Sequence, residues 1–123
     1  MDSETVTCRL WRRKIWRVEK MIKVSVLYPS GEGKTFDIAY YCDKHIPMVR
    51  QLLGAALKGV AVEQGIAGGE PGTLAPFLAI GHLSFDSVEA FMSAFVPVVD
   101  RLQGDIPNYT NSRPTIQISE VKL

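Results

Sequence analysis

Apolar and polar residues alternate from Met21 to Tyr28. Ile22, Val24, Val26 and Tyr28 fall on one side of an extended chain, with Lys23 and Ser25 on the other. A period of two predicts a half-buried strand. PSGEGKT at 29 to 35 is a Pro/Gly turn. From Asp37 to about Leu53 the period becomes helical, with Ile38, Tyr41, Cys42, His45, Val49, Leu52 and Leu53 on one stripe. Asp37 suits the N-cap, Phe36 and Tyr41 are spaced as a hydrophobic staple, and Gly54 suits the exit.

LKGVAVEQGIA at 57 to 67 reads as a second strand, GGEPGT as the turn after it, and APFLAIGHLSF at 75 to 85 as a third. Asp-Ser-Val-Glu at 86 to 89 is an acidic form of the capping box and opens a second helix. Its stripe is Val88, Phe91, Met92, Phe95, Val99 and Leu102, and Gly104 ends it. DIPNYTNSRP forms a loop, and TIQISEV at 115 to 121 is the last strand.

The order βαββαβ predicts an α+β, ferredoxin-like fold, in which a four-stranded antiparallel sheet carries two helices on one face. The other face would hold Lys23, Ser25 and Leu27 from the first strand and Gln117 and Ser119 from the last. That surface is too apolar for water and too polar for a core. Pairing with a second copy about a twofold axis would bury it, so a homodimer is expected.

Composition narrows the class. A chain of 123 residues with 46% hydrophobic and 22% charged residues has one domain's worth of core. A net charge of +1 points to neither nucleic acid nor a membrane surface as a partner. The charge is uneven. Residues 1 to 20 carry six Lys or Arg against three acids, and the remainder eight against ten. In the basic stretch Trp11, Ile15 and Val18 fall at helical spacing, but it lacks the apolar region of a secretory signal. It is expected to be a loosely packed extension, with Met21 a candidate natural start and 21 to 123 the domain. Cys8 and Cys42 are too few for a disulfide framework, which favours the reducing cytoplasm.

Candidate chemistry centres on FDIAYYCDKHIP at 36 to 47. Pro47 cannot donate to the carbonyl of Asp43, so the helix should open there and present His45 to the sheet, with Tyr41 one turn earlier and Tyr40 beside it. A histidine among phenols in an apolar cleft suits general acid/base work. A core histidine bonded to a backbone carbonyl fits the same pattern. Other motifs fall away. SGEGKT would need glycine at position 28 to be a phosphate-binding loop, and Tyr28 stands there. His45 and His82 come from a helix and a strand, with no HxxxH or HxH spacing, so no metal site is expected. Cys42 reads as a buried, inert thiol.

Three segments carry a resemblance: FD..YY...H.P at 36 to 47, IGHLSFDS at 80 to 87, and DIPNYTN with IQISE between 105 and 120. Together they resemble the EthD-like family, named for ethyl tert-butyl ether degradation, over essentially Met21 to Val121. The resemblance implies a dimeric α+β barrel built from ferredoxin-like subunits. Its founding context is a gene cluster with a cytochrome P450 system, and members are variously described as reductases, decarboxylases or dehydratases. It points to His45 first, then Tyr41 and Tyr40, with Asn108 and Tyr109 from the loop. Tyr28 and His82, from the strands, complete the expected substrate-binding set, and His45 and Tyr41 are the expected catalytic pair. No GxGxxG or other dinucleotide fingerprint is present, so no cofactor is expected. The expected ligand is a small hydrophobic or aromatic molecule. It would be handled by a cofactor-independent oxidoreductase or lyase/isomerase, or by a non-catalytic carrier serving an oxygenase system.

Overall fold

The computed structural model describes residues 21–123. The basic extension, with Cys8 and the Trp11–Ile15–Val18 spacing, lies outside the described residues. Four strands, β1 (Ile22–Pro29), β2 (Gly59–Gln64), β3 (Phe77–Phe85) and β4 (Thr115–Glu120), form one sheet in the order β2-β3-β1-β4. Every neighbouring pair is antiparallel. This is the ferredoxin-like βαββαβ arrangement.

The first helical layer is composite. A short helix α1 (Ile38–Tyr40) passes into a π-helical turn, Tyr41–His45, and then into α2 (Ile46–Leu53). Asp37 caps it through its carboxylate, which accepts from the Tyr40 N–H, and Phe36 meets Tyr41 with ring centroids 5.1 Å apart, so cap and staple both form. Pro47 lacks an N–H, and the backbone accommodates it one residue early. The Ile46 N–H reaches back five residues to the Tyr41 carbonyl, widening the turn instead of sharply breaking the helix. One consequence corrects the sequence reading. The wide turn bonds Ile46 to Tyr41 where a regular helix would bond it to Cys42; Tyr41 and Ile46 are buried and the Cys42 thiol is exposed. Gly54 ends the layer at φ 62°, a left-handed value that disfavours any side chain.

The second layer is α3 (Val88–Phe95), a 3₁₀ turn at Val96–Val98, and α4 (Val99–Gly104). Its cap is Ser87, not Asp86. The Ser87 hydroxyl accepts from the Ala90 N–H at 3.0 Å, while Asp86 turns toward Lys58. The buried stripe is narrower than the expected one: Phe91 and Leu102 are core residues and Phe95 and Val99 are half-buried, whereas Val88 and Met92 face outward. Pro97 interrupts the regular period between the two halves.

Two apolar clusters lie between helices and sheet. One joins Ile22, Val24, Val49, Leu53, Phe85, Phe91 and Leu102 at one end, and the other gathers Tyr28, Tyr41, Ile46, Ala79 and Tyr109. No helix among the described residues is long and apolar enough to cross a membrane.

Candidate functional site

Site residues come from three parts of the chain. The π turn supplies Tyr41 and His45, β1 supplies Tyr28, and the loop between α4 and β4 supplies Asp105, Asn108 and Tyr109. That loop is tied to the start of the first helical layer. The Asp37 N–H donates to the Tyr109 carbonyl at 2.7 Å, the Thr110 hydroxyl to the Thr35 carbonyl at 2.6 Å, and the Thr35 N–H to the Asn111 side chain at 2.9 Å. These bonds hold Tyr109 4.7 Å from the His45 ring, centroid to centroid.

His45 Nδ1 lies 2.8 Å from Asp105 Oδ2. Asp105 Oδ1 accepts two further bonds, from the Tyr40 hydroxyl at 2.8 Å and from Asn108 Nδ2 at 2.9 Å. Sequence reasoning missed Asp105 altogether. Its signal is present: it opens DIPNYTN, the motif that supplies Asn108 and Tyr109, and an acid/base histidine commonly needs an orienting carboxylate.

Burial would raise the Asp105 pKa, but the bonds from Asn108, His45 and Tyr40 outweigh it and hold the carboxyl below its ordinary value. Burial lowers His45, and Asp105 only partly opposes this, so the ring is neutral near pH 7. An ionised Asp105 can only accept, which fixes the proton on Nδ1 and leaves Nε2 as a bare base. Nε2 has no hydrogen-bond partner among the described residues, and none of their buried side-chain polar atoms is unpaired, so this nitrogen opens onto the adjoining cleft.

The cleft has a volume of about 870 Å³. Val26, Leu83 and Ile116 line its sheet side, Val49, Phe95 and Leu102 its helix side, with His45 and the tyrosines at one end. Such a size and lining suit a small organic molecule. The hydroxyls of Tyr28 and Tyr109 meet at 2.7 Å. Burial pushes Tyr28, Tyr41 and Tyr109 far above the ordinary phenol value, aided by the cost of placing one phenolate beside another and opposed only in part at Tyr109 by the Tyr28 bond, so all three remain neutral donors. The Tyr41 hydroxyl lies directly over Gly81 in β3.

His82 is not part of this site. Paired with Ser25 and Ala61 in register, it lies on the opposite face of the sheet. There Nδ1 meets the Ser25 hydroxyl at 3.0 Å and Nε2 meets Glu63 at 3.1 Å. The trio resembles a nucleophilic triad in composition only. Its backbone amides lie within the paired strands, so nothing nearby forms an oxyanion hole. Tyr40 and Asn108 touch Asp105 rather than lining the main cleft.

The dyad makes stability fall with acid. Because the folded state holds both pKa values below their unfolded ones, it binds fewer protons. The His45 contribution is complete above pH 6.5 and is lost as pH falls from there through its folded value; that of Asp105 follows below pH 3.8. Denaturant midpoints measured from pH 8 to 5 should fall, and the slope should flatten in His45→Gln. An identical slope in the variant would refute this assignment.

Fold and site define a small ferredoxin-like protein with a histidine–carboxylate dyad in an apolar cleft. The model of the EthD domain matches residues 31–113, and the chain belongs to the EthD family. It is similar to a crystal structure of an EthD-like protein from Ralstonia eutropha JMP134, with 46% identity, 85% of this chain and 94% of that chain covered, and a TM-score of 0.81. An ethyl tert-butyl ether degradation family protein from Bacillus halodurans C-125 shares 20% identity over 81% of this chain and 97% of its own, with a TM-score of 0.57. A dimeric protein of unknown function and ferredoxin-like fold from Bacteroides fragilis shares the fold at 11% identity, over 82% and 96% of the two chains, with a TM-score of 0.54. No curated protein matches the sequence.

Proposed function

We propose that the protein binds a small hydrophobic or aromatic molecule in the cleft and moves a proton on it with its own side chains. The observation that carries this reading is the His45–Asp105 pair at the cleft wall, with Nδ1 tied to the carboxylate and Nε2 left open. Nε2 takes a proton from a carbon beside a carbonyl. The electron pair of that C–H bond forms a C=C bond as the carbonyl π pair moves onto oxygen, giving an enolate and an imidazolium stabilised by Asp105. Of the Tyr28–Tyr109 hydroxyl pair, one proton is used between them, and the other is free to donate to the enolate oxygen. Return of the proton to another carbon completes an isomerisation; its delivery to a departing group completes a lyase reaction. Asp105 touches no reacting atom and is a positioning residue.

The test is a thermal-shift screen of aromatic and alicyclic carbonyl compounds, followed by turnover assays on the hits with His45→Ala as control. Binding without turnover in the variant, against turnover in wild type, is the expected result. Unchanged turnover in His45→Ala, or none in wild type on any bound compound, overturns the enzyme in favour of a carrier serving an oxygenase.

A homodimer joined through the open sheet face belongs to the same proposal. Its support is the mixed surface there, where half-buried Leu27 and Ile80 accompany Lys23 and Ser84 with no covering layer among the described residues. Sedimentation equilibrium should give twice the chain mass, and a monomer mass at all concentrations would remove this element.

A further inference from the structure

We propose that the ligand of this cleft carries a carboxylate, and that Arg113 binds it. The inference rests on the cleft reading above and adds a substrate class to it.

Among the residues lining the cleft, Arg113 is the one with a permanent charge, since His45 is neutral and the tyrosines are protonated. It forms no ion pair or hydrogen bond among the described residues. The side chain is exposed, and among the described residues its five donors are taken by no partner, which leaves them open to a ligand at the cleft.

Its backbone is also held in place. Ser112 is 3% exposed and donates its hydroxyl to the Pro29 carbonyl at 2.6 Å; its N–H donates to the Thr110 hydroxyl at 3.0 Å. Pro114 follows at once and fixes the next φ. The arginine therefore stands on a pinned loop beside an apolar cavity, an arrangement that lowers the ordering cost of binding. A single guanidinium matches one carboxylate, through two parallel N–H···O bonds. A dianionic phosphate would call for further cations, and the lining has none.

The chemistry is consistent at both ends of such a ligand. An apolar body fills the space between Leu83, Phe95 and Ile116, and its carboxylate is held by Arg113. The proton to be moved then faces His45 Nε2 in one orientation rather than several.

A matched pair of probes tests this: 2-naphthoate and its neutral analogue 2-naphthamide, titrated into wild type, Arg113→Gln and Arg113→Lys. Naphthoate should bind wild type at least about tenfold more tightly than naphthamide. Arg113→Gln should erase that difference while leaving naphthamide binding unchanged, and Arg113→Lys should keep part of it. Raising ionic strength from about 0.05 to about 0.5 M should narrow the difference, because the guanidinium is exposed to solvent. Equal affinities in wild type, or an undiminished naphthoate preference in Arg113→Gln, overturn the role of Arg113 while leaving the apolar cleft standing. Binding of neither probe by wild type overturns both the carboxylate proposal and the aromatic cleft.

Discussion

Exchanging Asp105 for asparagine is expected to lower turnover by about 10² to 10⁴-fold, matching the loss in His45→Ala, while the chain stays folded. The large effect follows from which oxygen does what. Asp105 Oδ1 accepts from both the Tyr40 hydroxyl and Asn108 Nδ2, so the carbonyl oxygen of an asparagine must take that position. Its NH₂ group is then forced into the place of Oδ2, facing His45 Nδ1. A donor there requires Nδ1 to accept, which moves the imidazole proton to Nε2 and removes the base from the cleft. Ligand affinity should change little, because Asp105 contacts none of the cleft's reacting space. Nitrogen chemical shifts of the His45 ring should report the exchanged tautomer. Alanine is the poorer probe, since it would strip three donors of their acceptor at once. Turnover within a few-fold of wild type in Asp105→Asn would mean that the dyad is structural.

Local chemistry was the legible part of this molecule. The Asp37 cap, the Phe36–Tyr41 staple and the Gly54 exit each depend on residues within one turn of each other, and all three form. The βαββαβ order needed only the switches between periods of two and of helical spacing. A stripe assumes constant residues per turn, and the π turn before Pro47 breaks that assumption, leaving Cys42 exposed. In the regular helix α3 the phase holds, but the buried stripe is narrower than the run of apolar residues: Phe91 is buried while Val88 and Met92 stand outward.

The site was legible in part for a different reason. His45, Tyr41 and Tyr40 share one segment, but their carboxylate lies 60 residues from the histidine and joins it only through the pinned loop. His82 shows the limit of strand parity. Alternation says that it shares a face with Ile80 and Ser84, but not which face the helices cover. That required the register with Ser25, which sets it opposite Gly81 and the whole cleft.

Gly81 carries the second large expectation, a destabilisation whose sign should reverse in a partner background. A Cβ at this position would lie 2.3 Å from the Tyr41 hydroxyl oxygen. The ring cannot readily swing away. It is 2% exposed, stacks on His45 at 5.3 Å, and meets Phe36 and Tyr28 edge-on at 5.1 and 5.7 Å. Gly81→Ala should therefore cost about 1–3 kcal/mol, the usual range for overpacking a closed site. In Tyr41→Phe the offending oxygen is gone, and the next atom, the ring carbon that bore it, is 3.5 Å from the new methyl, an ordinary contact. There the same substitution should be neutral or stabilising by up to about 1 kcal/mol, because Gly81 has a negative φ and alanine restricts the unfolded chain. Denaturant midpoints of the four proteins give a coupling of about 1–4 kcal/mol if the hydroxyl sits where the packing puts it. Equal costs in both backgrounds would mean that the Tyr41 ring moves freely. A freely moving ring could not hold its hydroxyl against the sheet or its face against His45, so the same four measurements also ask whether the cleft is built before a ligand arrives.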